Sequence, residues 1–219
     1  EAYEQASENF TRRLLLSPEG DLLRTALGKA ARTIALPGAL NGLAQTLLRM
    51  TVPGVPDLYQ GNDFWDFTLV DPDNRRPVDY ASRQQALQQP LDLPDLLEHW
   101  HDGRIKQALI VRTLTTRTEH AELFRRGTYQ PLEVIGSQAN RVLGFVREWE
   151  GNRAIVIVPI RCAPLLENSA VPQVDAPQWG DTRINLPFTA ADENLKGLFS
   201  SVAVTKNREL MISTALGDF

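Results

Sequence analysis

The apolar residues of this chain change period once, near Gly127, and that change limits the folds open to it. Before Gly127 they recur every three or four positions, the spacing of one helix face. Ala2, Tyr3, Ala6, Phe10 and Leu14 follow it, as do Leu23, Ala26, Leu27, Ala30, Ala31 and Ile34, then Leu40, Leu43, Ala44, Leu47 and Leu48. The period returns at Ile105, Ala108, Leu109 and 112–114. After Gly127 short runs rich in Val, Ile and Phe take over. The stretches 141–147 and 153–158 flank Glu150-Gly151-Asn152, a hairpin turn sequence, and further strands are expected at 183–186, at 198–204 and near Leu210. The pattern predicts an α+β chain, mostly helical over 1–127 and antiparallel β over 128–219.

Local signals divide the helical half. Asp21 after Gly20 is the expected N-cap of the helix beginning there, and Pro37-Gly38 is expected to break the chain before a second helix. Pro53 and Pro56 end that helix. Residues before proline avoid the helical region, so Val55–Tyr59 reads as a short buried strand closed by Gly61. The segment Asn62–Tyr80 is too long and too rich in Asp, Arg and Pro for a routine connection, and Phe64, Trp65 and Phe67 argue against disorder. Asp79 is the expected cap of a helix from Tyr80 onward.

Composition excludes several classes. The net charge of -4 forms no basic stripe, so no nucleic-acid partner is expected. No 18-residue apolar run suggests a membrane span. Cys162 is the sole cysteine, which rules out an internal disulfide and leaves a reducing, cytoplasmic setting as the expectation. His99, His101 and His120 lack a third ligand at a sensible spacing, and no metal is expected. Arg104 and Lys106 read as solvated helix charges, Cys162 as buried packing, and Trp149, beside the hairpin turn, and Trp179 as packing within the β half. The chain starts at Glu1 without Met and stops soon after an apolar run, so both ends read as cuts through a longer polypeptide.

Two stretches carry a family likeness. Pro53-Gly54-Val55-Pro56-Asp57-Leu58-Tyr59-Gln60-Gly61-Asn62-Asp63 resembles the last barrel strand of α-amylase-family enzymes. Leu69-Val70-Asp71-Pro72-Asp73-Asn74-Arg75-Arg76-Pro77-Val78-Asp79-Tyr80 resembles the signature of maltooligosyl trehalose synthases. Asp102-Gly103-Arg104-Ile105-Lys106, Trp179-Gly180-Asp181-Thr182 and Leu186-Pro187 are similar to that family too. The resemblance implies that 1–127 is the end of a (β/α)8 barrel and 128–219 a C-terminal antiparallel β-sandwich. It implies a parent enzyme that isomerises the reducing-end α-1,4 bond of a maltooligosaccharide to an α,α-1,1 bond by intramolecular transglucosylation, without a cofactor. Its catalytic carboxylates belong to barrel segments upstream of residue 1, so this chain alone is expected to be inactive. Its expected partners are the maltooligosaccharide and the missing N-terminal barrel of the same polypeptide. Without that barrel the helical half exposes apolar faces, and self-association is expected. The strand motif alone also suits another α-amylase-family hydrolase or transferase, and the β half alone suits a sugar-binding or structural module.

The candidate substrate-binding residues are Tyr59, Gln60, Asp63, Asp71, Asp73, Asn74, Arg75 and Arg76. Carboxylates and guanidinium groups hold vicinal sugar hydroxyls through paired, charge-assisted hydrogen bonds, and loops at the C-terminal ends of barrel strands are where such sites are built. Each assignment has a plainer counterpart. Asp73, Arg75 and Arg76 either grip sugar or brace the loop as a salt-bridged turn. Asp63 either orients neighbouring donors or is solvated. Tyr59 either touches sugar or packs, and the same choice holds for Phe64, Trp65 and Phe67. Retaining glycoside chemistry needs two carboxylates about 5 Å apart. Asp71 and Asp73 straddle a proline on a turn with no apolar pocket to keep one protonated, so no complete catalytic pair is expected here.

Overall fold

The computed structural model describes residues 1–90, 92–188, 195–199 and 208–217. Seven α-helices and six strands are formed by these residues: α1 (Ala2–Leu16), α2 (Asp21–Thr51), α3 (Tyr80–Leu87), α4 (Leu93–Glu98), α5 (Arg104–Glu119), α6 (Ala121–Arg126), β1 (Thr128–Pro131), β2 (Glu133–Ile135), β3 (Val142–Trp149), β4 (Asn152–Pro159), β5 (Arg183–Asn185), β6 (Glu209–Met211) and α7 (Ile212–Ala215). The chain is therefore α+β, with six of the seven described α-helices before Gly127 and all described strands after it. The strand expected over 198–204 lies outside the described residues from position 200 onward.

The strands form two antiparallel sheets, ordered β1-β3-β4 and β2-β5-β6. The β3–β4 hairpin closes through Glu150 and Gly151, both at positive φ (48° and 80°), with Trp149 opposite Asn152. Two central residues at positive φ match the right-handed twist of the strands they join. Gly144 in β3 allows the second sheet to approach: a Cβ there would lie 2.9 Å from Ile184 Cδ1.

Three sequence expectations are corrected. Pro37 does not break the helix, because α2 runs continuously through it. The ring removes one backbone hydrogen bond and crowds the preceding turn, at a cost of about 3 kcal/mol. Burial on the same helix face offsets this: Ala39, Leu40, Leu43 and Ala44 lie in the core immediately after it. Asp21 is not the N-cap of α2. Gly20 takes that place, and Asp21 lies in the first turn, ion-paired with Arg24. Residues 55–59 form no strand, and Val55 is 96% exposed. A strand needs a partner ladder, and none of the described strands pairs with this segment.

Two apolar clusters make the core. Leu40, Val146, Trp179, Ile184, Leu210 and Ile212 belong to the one between α2 and the sheets. Ala39, Leu43, Leu96, Trp100, Ile105 and Leu109 belong to the one among α2, α4 and α5. Leu36 packs against both, so α2 is the element they share. Its first half and α1 contribute little. No residue of α1 is buried, and Tyr3, Phe10, Leu22 and Ile34 are each more than 60% exposed. None of the described helices is long and apolar enough to cross a membrane.

Arg147 in β3 ties the helices to the sheet. Its side chain is 1% exposed and pairs with no carboxylate in the described structure. Its Nε donates to the Thr128 carbonyl (2.8 Å). One terminal nitrogen donates to Thr51 at the end of α2 (2.9 Å), the other to Phe124 (3.1 Å) and Gly127 (2.9 Å) at the end of α6. Carbonyls in the last turn of a helix have no intrahelical partner and carry the negative end of the dipole. One planar cation thus satisfies two helix ends and the start of β1. Burial, and then the charge of nearby Arg117, pull its pKa below the ordinary arginine value. Arg147→Met keeps the apolar stem but orphans these carbonyls; it should lower the unfolding free energy by about 3–5 kcal/mol in urea denaturation. A change under about 1 kcal/mol would refute the assigned role.

Candidate functional site

The long segment between α2 and α3 has a fixed base and an exposed crest. Asp63 anchors the base. Arg83 Nε, from α3, donates to its Oδ1 (2.9 Å), and Gln107 Nε2, from α5, donates to its Oδ2 (2.8 Å). Arg83 also donates to the Gly61 carbonyl (2.8 Å) and stacks over the Phe64 ring (4.8 Å to the centroid). Asp63 is therefore a braced, half-buried carboxylate rather than a solvated one. Trp65 Nε1 donates to the Trp100 carbonyl (2.6 Å), and its ring packs into the helical core. Gly103 makes this approach possible, since a Cβ there would lie 2.9 Å from the Trp65 nitrogen.

Two positively charged residues differ from their sequence reading as solvated charges. Lys106 is half-buried: its Nζ donates to the Phe64 carbonyl (3.2 Å) and lies 5.8 Å from the Trp65 ring centre. Desolvation, with Arg49 adding repulsion, pushes its pKa down. Arg104 is held by Asp102 (2.6 Å), Gln89 (2.9 Å) and Asp95 (3.4 Å). His99 is exposed, and its pKa is raised by the Asp95 backbone carbonyl and carboxylate; His120 is also exposed. Among the described residues no cluster of His, Cys, Asp and Glu suits a metal ion. Cys162 is buried, and burial pushes its thiol up to about 11.

The crest runs over residues 66–76. Asp71 pairs with Arg75 and Asp73 with Arg76, while Asp73 Oδ2 accepts from the Leu69 nitrogen (2.7 Å). The Asp71-Pro72 peptide within this turn is cis. The Arg75 and Arg76 side chains remain 68% and 71% exposed. Phe67, Leu69 and Val70 are each at least 76% exposed, and Asn74 Oδ1 is buried without a hydrogen-bond partner. Tyr59 and Gln60 are exposed at the foot of the crest, where the Tyr80 hydroxyl reaches the Gln60 Oε1 at 3.5 Å.

All eight sequence-derived residues thus lie on one segment, but in three places, with Tyr59 and Gln60 at the foot of the crest. Asp63 belongs to the base; Asp71, Asp73, Asn74, Arg75 and Arg76 belong to the crest. Arg83, Gln107 and Lys106 were missed. A polar Gln at position 107 between apolar Ile105 and Ala108 was the available signal, since a buried amide needs a specific partner. The crest offers guanidinium and carboxylate groups beside exposed apolar side chains. Those groups have the chemistry to contact a ligand with both hydroxyl and apolar faces. It does not equip Asp71 or Asp73 for proton transfer, because each is ion-paired in an open turn.

No protein-family model matches the chain. Proteins of Mycobacterium tuberculosis strains CDC 1551 / Oshkosh and H37Rv, both carrying the name maltooligosyl trehalose synthase, are 44% identical to it over 161 residues, 74% of this chain. Over the matched residues the chain is similar to one part of the maltooligosyl trehalose synthases. It spans 18% of the length of those two relatives. The solved maltooligosyltrehalose synthase of Arthrobacter ramosus matches with a TM-score of 0.55 at 32% identity, over 80% of this chain and 21% of that one. A second solved maltooligosyl trehalose synthase matches with a TM-score of 0.59 at 28% identity, over 72% and 21%.

Two outcomes check the base of the family loop. Arg83→Met keeps the stem beside Phe64 but strips the donors from Asp63 and Gly61, and should cost about 1.5–3 kcal/mol in urea denaturation; an unchanged midpoint would contradict the bracing role. Asp79 caps α3, accepting from the Ser82 nitrogen at 3.0 Å, and its hydrogen bonds to Ser82 hold its pKa below the ordinary carboxylate value. A depressed carboxylate stabilises the fold above its unfolded pKa and loses that effect as pH falls through the folded one. Hydrogen exchange at 80–87 should therefore accelerate below about pH 4, and Asp79→Ala should remove that pH dependence.

Proposed function

We propose that this chain is the C-terminal part of an enzyme that isomerises the reducing-end α-1,4 bond of a maltooligosaccharide to an α,α-1,1 bond by intramolecular transglucosylation. In this reading 1–127 supply the end of a (β/α)8 barrel and 128–219 a β-sandwich. The segment from Tyr59 to Arg76 forms part of the rim of the sugar site. The carboxylates that break and re-form the glycosidic bond lie on another part of the polypeptide, so the 219-residue chain alone is inactive. The setting is cytoplasmic, in keeping with a single cysteine held as a buried thiol. The 44% identity to relatives carrying the synthase name, together with an exposed crest whose guanidinium groups face solvent, supports this reading over a different α-amylase-family activity.

The chemistry explains what such a crest contributes. The glucose released from the reducing end must stay bound and turn before it attacks the glycosyl-enzyme. Water must be kept away meanwhile, or hydrolysis intervenes. Arg75 and Arg76 are rigid, planar donors suited to vicinal hydroxyls, and Phe67, Leu69 and Val70 are apolar cover. The crest can serve both needs when an opposing wall is present.

The test is a product assay in a full-length family enzyme carrying this segment. Arg75→Ala or Arg76→Ala should lower trehalose-capped product at least about ten-fold, or raise free glucose relative to it, because each removes about 1.5 kcal/mol or more of charge-assisted contact. Unchanged rate and product ratio in both variants would overturn the assignment.

A further inference from the structure

The loop that carries the crest is pinched at its neck, and one side chain spans that neck. The chain enters at 61–63 and leaves at 78–79, just ahead of α3. Entry and exit touch: Gly61 sits at a φ of 82°, and a Cβ on it would lie 3.0 Å from Val78 Cγ2. Arg83, in the first half of α3, reaches both sides. Its Nε donates to Asp63 Oδ1 (2.9 Å), and one terminal nitrogen donates to the Gly61 carbonyl (2.8 Å), both at the entry. The other terminal nitrogen donates to the Asp79 carbonyl (3.0 Å) at the exit.

All three guanidinium nitrogens are thus engaged within the protein, and the Arg83 side chain is only 18% exposed. Gln107 of α5 locks the arrangement from below. It is buried, and its Nε2 donates both to the second Asp63 oxygen (2.8 Å) and to the Arg83 backbone carbonyl (3.2 Å). Holding the ends of a loop together costs chain entropy, which these bonds offset. A planar fork can serve three acceptors in different directions, whereas an ammonium is a single point of contact.

We propose, on the reading of the crest as part of the sugar rim, that Arg83 is a positioning residue for the sugar site. By clasping the entry of the loop to its exit, it sets where Arg75 and Arg76 stand relative to the sugar. The ion pairs of Arg75 and Arg76 are internal to the crest, so the neck carries their placement. Arg83 acts on the reaction only through them. A donor displaced by about 1 Å can cost on the order of 100-fold in rate.

The test is a coupling measurement in a full-length family enzyme carrying this segment. Arg83→Met should lower the rate of trehalose-capped product at least about ten-fold. In an Arg75→Ala, Arg76→Ala background the same change should lower it less than about two-fold, because the donors it positions are gone. Loss of folded enzyme alone would lower both backgrounds by one common factor, and that result would overturn the proposal. Arg83→Lys keeps a charge beside Asp63 but only one nitrogen, so it should retain the fold and still lose rate about as far as Arg83→Met. Parent rate in Arg83→Lys would also overturn the proposal, and this variant decides the matter where Arg83→Met fails to fold. Unchanged rate and product ratio in the Arg75→Ala and Arg76→Ala variants would sink the rim reading and the clasp with it. Slowed crest variants beside a silent Arg83→Met would sink the clasp alone.

Discussion

A single buried guanidinium holds the two secondary-structure types together. Arg147 leaves β3 and reaches carbonyls at the ends of α2 and α6 and at the start of β1. A buried cation without a carboxylate is costly unless each donor finds an acceptor. Here the acceptors are groups that would be orphaned themselves. Neither side of the interface is satisfied without the other, and the Arg147 position therefore fixes where α2 must stop. Arg117 adds to the same end: it donates to the Met50 carbonyl and lies over the Phe124 ring.

The stop of α2 sets the geometry of everything that follows it. The chain leaves Thr51, passes Pro53 and Pro56, and is caught again at Gly61 and Asp63 by Arg83 and Gln107. Trp65 then anchors it against Trp100. The crest beyond is free of such ties to the helices, and its ion pairs are internal. A firm base under an open, charged crest is the arrangement expected of a loop that meets a ligand.

The sequence showed the composition of the fold more clearly than its joints. The change of period near Gly127 falls between α6, which ends at Arg126, and β1, which starts at Thr128, because period reports burial directly. The β3–β4 hairpin was legible for the same reason, reinforced by Glu150-Gly151. Pro37 misled because local propensity was outweighed by the long apolar face that continues through it. Val55–Tyr59 misled because a strand is defined by its partner, which no local pattern reveals. Arg147 left no trace in the pattern: an arginine at the end of a Val-rich run looks solvated until the helix ends that surround it are known. The eight candidate residues were legible as a motif, while their division into base and crest depended on Arg83 and Gln107, far along the chain.

The claim that helices and sheets form one unit through Arg147 is tested most directly by native-state hydrogen exchange. Amides in the second half of α2, in α5 and in β3 should exchange with one common opening free energy, because opening either side strands the carbonyls or the guanidinium of the other. Two separate values, with β3 still protected after α2 and α5 have opened, would contradict the account.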